Sequence, residues 1–172
     1  MTITPMPSGK VHDSIAAISI CPVFFIGHYL AHLNLWGSCV FMLATVFSQL
    51  MFGPDLDAGS KQYKRWGIFR WIWIPYRKLI PHRSVFSHGL LWGPIFRCLY
   101  LLVVITIFAL IINQIIYNYT NINFARYLFP KIIYLMFKLK IRYLMQLVAG
   151  LFVGAGIHTI TDKIFSFFKN LI

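Results

Sequence analysis

Carboxylates are scarce in this chain, and each one stands beside a histidine or beside another carboxylate. The 172 residues hold six His and four acidic residues, all of them Asp. Asp13 follows His12, Asp55 and Asp57 share a Pro-Asp-Leu-Asp run, and Asp162 stands four residues after His158. Neutral imidazole and carboxylate together suit zinc, manganese or iron, and a cation offsets the cost of gathering carboxylates. His158 and Asp162, at i and i+4, project from one helical face and can reach one ion. H-x-x-x-D alone is common by chance, so the case rests on several motifs meeting at one membrane face. The candidate ligands are His12, Asp55, Asp57, His88, His158 and Asp162, on one ion or divided between two. Zinc is the expected metal, with manganese or iron as alternatives. His82 is a further candidate, and Arg83 or Arg65 could hold a phosphate.

Each of these residues also has a plainer reading. Asp13 can cap the first helix, where an N-terminal carboxylate meets free N–H groups. Asp55 or Asp57 can pair with Lys61, Lys64 or Arg65 at the surface. His82, beside Arg83 in a Pro-flanked basic turn, reads as a solvated loop residue. His28 and His32 share the i, i+4 spacing but fall towards the opposite face, where they read as helix-packing histidines.

The elements that must position these groups are apolar helices. Hydrophobic residues make up 59% of the chain and charged residues 12%. Average globular proteins hold roughly 45–50% and 25%. So few charges barely cover a soluble surface, whereas a bilayer needs none on its lipid-facing positions. No charged residue occurs between Asp13 and Asp55. Those intervening residues, if helical, extend about 62 Å, roughly twice a hydrocarbon core of ~30 Å. Two passes with a break near His32-Leu33-Asn34 fit that length. The expected fold is therefore all-α, one membrane-embedded domain with spans 14–31, 35–52, 98–116 and 143–161. The first apolar run reads as a retained span rather than a cleaved signal.

Between the second and third spans lies a basic, Trp-rich loop, 53–90, broken by Pro54, Pro75 and Pro81. Trp and Tyr favour the headgroup level and Lys/Arg stems snorkel there, so Trp66, Trp71 and Trp73 are expected to lie flat on the membrane. A short amphipathic piece is expected around Lys131–Lys140. Gly150, Gly154 and Gly156 in the last span permit close helix contact. Cys21, Cys39 and Cys98 lie in apolar segments and read as small buried hydrophobes. The formal net charge of +12 points to an anionic partner. In so apolar a chain this means anionic lipid headgroups rather than nucleic acid, although tryptophans can stack on single strands. Lys10, eight Lys/Arg from Lys61 to Arg97, Lys163 and Lys169 fall on one side, against five on the other. The richer side reads as cytoplasmic, with both termini and all the candidate ligands on it.

The segments PSGKVHD (7–13), FGPDLDAGSKQYKRWGIFRWIWIPYRKLIPHRSVFSHG (52–89), RCLYL (97–101) and GAGIHTITD (154–162) carry a resemblance. With them the chain resembles an uncharacterised bacterial family of metal-binding membrane proteins, best known from cyanobacteria. It is also distantly similar to membrane-bound metal-dependent hydrolases, including the LexA-binding inner-membrane hydrolases. Those share an N-terminal His, a D-x-D, an H-R…H-S loop (here His82-Arg83…Ser87-His88) and a late H-x-x-x-D. A fainter likeness is to zinc-dependent phospholipase C, whose H-x-x-x-E pairs have no counterpart in a chain without Glu. The resemblance implies metal binding at an inner or thylakoid membrane and supplies no substrate.

Two functions follow as expectations. One is a metal-dependent hydrolase of a membrane-proximal phosphoester, with water as nucleophile and a neighbouring carboxylate as base. The other is a structural metal clip tying helix ends, or a lipid- or partner-binding surface. A transporter is the weaker third reading, because charged residues occur only near the ends of the spans. Either metal reading requires His158 and Asp162 to meet Asp55 and His88 at one place.

Overall fold

The computed structural model describes residues 9–82, 84–120, 123–138 and 141–169, and the described residues are helical with no strand. Helix α1 runs Gly9–Phe25 and carries Pro22 inside it; one π-helical turn, Ile26–Leu30, prolongs it. His32 then takes a left-handed φ of 50°, which reverses the chain. Asn34 starts α2 (Leu35–Leu50) by accepting the Gly37 N–H at 2.8 Å, the role an N-cap side chain serves. After short helices come α6 (Trp92–Thr120), α7 (Phe124–Lys138) and α8 (Ile141–Lys169). Four helical stretches are long and apolar enough to cross a membrane: Gly9–Leu30, Leu35–Asp57, Trp92–Thr120 and Ile141–Phe168. The last two extend well beyond 98–116 and 143–161, because polar Asn and Gln do not end a helix as Pro or Gly would.

Helices α2 and α8 form the centre and lie almost backbone to backbone. A Cβ added at Gly150 would sit 2.5 Å from Phe41 O and 2.7 Å from the Ala44 Cβ. One at Gly154 would meet the Thr45 carbonyl and, at 2.6 Å, the Ser48 Cβ. The spacing Gly-x-x-x-Gly thus opens a groove for α2. Ser48 Oγ donates to Leu151 O at 2.7 Å across the seam. Gly150 faces Phe41 and Ala44, and Gly154 faces Thr45 and Ser48, so the two helices run parallel and reach the same end together. Helix α1 packs on α2, where Gln49 Nε2 donates to Ser19 Oγ at 2.9 Å.

At that common end, 53–90 folds into a cap of short helices. These are a 3-10 turn Pro54–Asp57, α3 (Lys61–Arg65), a 3-10 stretch Gly67–Trp73, α4 (Ile74–Leu79) and α5 (Val85–His88). Trp73 does not lie at the surface as expected. It is 0% exposed, like Tyr76, and packs with Phe52 and Leu56. Trp66 donates its N–H to Met51 O at 2.8 Å, and only Trp71 of the three is exposed. Arg97, counted above with the surface charges, is also fully buried, its Nη1 donating to Ser87 O at 2.8 Å. Aromatic rings have more surface to bury inside this cap than a headgroup layer offers them.

Gly154→Leu should force α2 and α8 apart and lower the thermal midpoint of the protein in detergent. Overpacking of this kind costs about 1–3 kcal/mol. Gly156→Ala, whose added Cβ meets only Leu90 at 3.8 Å, should leave the midpoint unchanged. Equal midpoints for both variants would mean that the helices are not in close contact.

Candidate metal centre

The cap and the helix ends bring the scattered His and Asp residues together. Pro54 opens the 3-10 turn that carries Asp55 and Asp57. Ser60 Oγ closes it by donating to Asp55 O at 2.8 Å, while accepting the Tyr63 N–H at 3.3 Å as the N-cap of α3. Asp55 thereby faces α8, where His158 Nε2 lies 3.3 Å from Asp55 Oδ2. His158 Nε2 is also 3.7 Å from Asp162 Oδ2, one helical turn on. His12, near the start of α1, stacks its ring on His158 with centroids 3.8 Å apart. Its Nε2 reaches Asp162 Oδ1 at 3.1 Å. From the opposite side, His88 at the end of α5 points Nε2 at Asp55 Oδ1, 3.7 Å away.

Asp57 stands behind these groups. Its carboxylate is fully buried, with Oδ1 2.8 Å from His82 Nδ1 and Oδ2 3.6 Å from His88 Nδ1. A carboxylate at Nδ1 fixes the ring and leaves Nε2 free to bind, as outer partners of metal-ligating histidines do. His82 lies outside the cluster, half exposed, its ring edge-on to that of His88. Arg83 lies outside the described residues. Burial pushes the Tyr76 phenol above its ordinary pKa, so it stays neutral near Asp57 and Arg97.

Of the plainer readings, the helix cap at Asp13 does not hold. Asp13 sits inside α1, not at a cap, and binds Arg65 Nη2 at 2.7 Å and Lys61 Nζ at 3.2 Å. Arg65 also donates to Leu50 O at 3.0 Å, so the candidate phosphate-holding guanidinium is already engaged on two sides. His28 sits at the far end of α1 with Nδ1 3.0 Å from Leu33 O, away from the cluster. Gln62 is the residue the motifs did not single out. It is 3% exposed, donates to Gln49 O at 2.7 Å and lies 3.2 Å from His158 Nδ1. Its space exists because position 53 is glycine, where any Cβ would collide with the Gln62 amide. An uncharged Gln in so apolar a chain was a signal, since an amide there needs partners as much as a charge does.

The donor set fits a divalent cation. Asp55 Oδ1, His88 Nε2, His158 Nε2 and both Asp162 carboxylate oxygens are buried without a hydrogen-bond partner. Two triads, His12/Asp55/His158 and Asp55/His88/Asp162, hold their ligand atoms within 4.8 Å of one another. Ligands on tetrahedral zinc, with bonds of ~2.0–2.1 Å, stand about 3.3 Å apart, close to the separations above. The model of one protein family matches residues 7–172. The chain belongs to the uncharacterized metal-binding protein family DUF2227. No curated protein and no solved structure matches it.

For this member of a metal-binding family, His158→Ala should lower the metal content of the purified protein and its thermal midpoint. His28→Ala should change neither. Elemental analysis of both variants decides the matter, and metal lost from the His28 variant would move the centre to the other end of the bundle.

Proposed function

We propose that this chain is an integral membrane, metal-dependent hydrolase of a phosphoester presented at the cytoplasmic membrane surface. The observation that carries the reading is a polar pocket of about 200 Å³ that opens directly onto the ligand cluster. His12, Asp55 and His158 line one side of it, and Lys61 and Arg65 line another. A structural centre has no need of a basic pocket at its edge; a phosphoester does.

His12, Asp55, His88, His158 and Asp162 would hold the metal, and Asp57 would orient His88 from behind. A bound divalent ion supplies Lewis-acid polarisation of a phosphoryl oxygen and lowers the pKa of water at the site. Zinc suits this donor set best, with manganese or iron as alternatives. Lys61 and Arg65 offset the carboxylates of Asp13 and Asp55 in the pocket lining, so a bound divalent cation would give it the excess positive charge that an anionic group needs. Arg65 would have to exchange its contact with Asp13 for a phosphate while Nη1 stays on Leu50 O. The distant likeness to membrane-bound hydrolases supports the same reaction class by analogy alone.

The excess of Lys and Arg in the cap and at both chain ends supports a cytoplasmic cluster, with the basic surface against anionic headgroups. A second reading, a metal clip without catalysis, is favoured by the origin of the ligands: α1, the Pro54–Asp57 turn, α5 and α8 each contribute. An ion there would tie four elements that otherwise rely on packing.

Two measurements follow. Reporter fusions after Leu33 and after Gly59 should fall on opposite membrane sides, with Gly59 cytoplasmic; the same side for both would remove the second span. Metal-loaded protein in mixed micelles should release inorganic phosphate from phosphatidic acid, with about a 100-fold loss or more in His158→Ala and on chelation. Loaded protein without turnover on either lipid or soluble phosphomonoesters leaves the clip as the function.

A further inference from the structure

Two sets of ligand atoms meet at Asp55, and they meet at its two different oxygens. His158 Nε2 lies 3.3 Å from Oδ2, whereas His88 Nε2 lies 3.7 Å from Oδ1. His12 joins the first set through its stacked ring and completes one triad with Asp55 and His158. Asp162 joins the second, completing a triad with Asp55 and His88. Asp55 is the residue the two triads share. We propose that the site holds two divalent cations with Asp55 bridging them. One lies among His12, His158 and Asp55 Oδ2, the other among His88, Asp162 and Asp55 Oδ1.

A single ion leaves part of this cluster unexplained. Asp57 and Ser87 both flank His88 Nδ1, the carboxylate at 3.6 Å and the hydroxyl at 3.0 Å. With Nδ1 donating to the Ser87 hydroxyl, Nε2 carries a bare lone pair. That lone pair faces Asp55 Oδ1, itself an acceptor, and both atoms are buried without a hydrogen-bond partner. At 3.7 Å the pair is too long for a hydrogen bond. Two acceptors held face to face repel unless a cation lies between them. An ion on the His12/His158 side uses Oδ2 and leaves this second pair as it was. Asp162 also stands beside the first position, with Oδ1 3.1 Å from His12 Nε2 and Oδ2 3.7 Å from His158 Nε2.

The inference rests on the metal-binding half of the proposed function and sharpens its chemistry. Paired ions, roughly 3.5–4 Å apart in two-metal sites generally, clamp the attacking and leaving oxygens of an in-line displacement. Such a clamp fits the phosphomonoester or phosphodiester of the proposed function.

The test counts ions. Full-length protein in lipid nanodiscs is stripped with chelator, loaded with Mn²⁺, freed of excess metal by gel filtration and analysed by mass spectrometry and electron paramagnetic resonance. Two manganese per chain with an exchange-coupled spectrum are expected. His88→Ala should retain one ion and give the spectrum of an isolated centre, and His12→Ala should also lose the coupling. One ion per chain in the wild type, with an isolated-ion spectrum, overturns the second site and leaves the metal centre standing. No bound manganese or zinc at all overturns the proposed function as well. If His88→Ala fails to fold, the wild-type count and spectrum decide by themselves.

Discussion

The contact between α2 and α8 sets the position of everything else. Two glycines four residues apart bring the helix backbones together, and the parallel course of the helices carries both to the same end. His158 stands one turn beyond Gly154, so it arrives beside the turn that α2 feeds into. Because one Cα–Cβ bond would block the approach, the depth of His158 is decided by an absence of side chain some 6 Å away along the axis. Helices this apolar would gain no hydrophobic association from lipid, where close backbone packing and the Ser48–Leu151 hydrogen bond would be the adhesives.

Against that frame Trp73 and Tyr76 of the cap and Arg97 of α6 pack beneath the cluster, all with no exposure. A buried guanidinium is costly unless a negative charge lies near, and Asp57 is close enough to act on it. Asp57 in turn faces both His82 and His88. The aromatic core and the ligand geometry are thus one construction. Phe52, Leu56, Trp73 and Tyr76 exclude water from the side on which Asp57 must stay charged and fixed.

The four long apolar helices and the convergence of His12, Asp55, His88, His158 and Asp162 were legible because each follows from a strong, local signal. A long uncharged run can only be two apolar helices, and carboxylates in such a chain can only stand at its ends. The fate of Trp73 and Arg97 was not legible, since an interfacial anchor and a buried core residue share one composition. Asp13 misled for a related reason: its neighbours in sequence suggest a cap, whereas Lys61 and Arg65 reach it only through the fold. Asp57 was grouped with the candidate ligands because D-x-D spacing does not say which carboxylate faces the centre. In the 3-10 turn the two diverge, and Asp57 backs onto histidines instead.

Gln62 ties the centre to the end of α2 through a conflict over one proton. As the amide is placed, its Nε2 donates to Gln49 O and stands 3.2 Å from His158 Nδ1, an arrangement that suits a ring protonated at Nε2. A histidine that binds a cation through Nε2 needs the opposite tautomer, with the proton on Nδ1. A half-turn of the Gln62 amide supplies it, because amide nitrogen and oxygen exchange places in nearly the same volume. Oε1 then accepts from His158 Nδ1, and the carbonyl of Gln49 loses its donor. Leaving a buried carbonyl unpaired costs about 1–3 kcal/mol. Structural zinc supplies apparent binding free energies of about 10–16 kcal/mol in small domains. An ion bound at Nε2 would therefore decide the contest, with Gln62 rather than His158 turning. With its oxygen on Nδ1, the same residue strengthens the ligand it had opposed. Filling the centre then reaches the last turn of α2 through one amide, without any helix having to move.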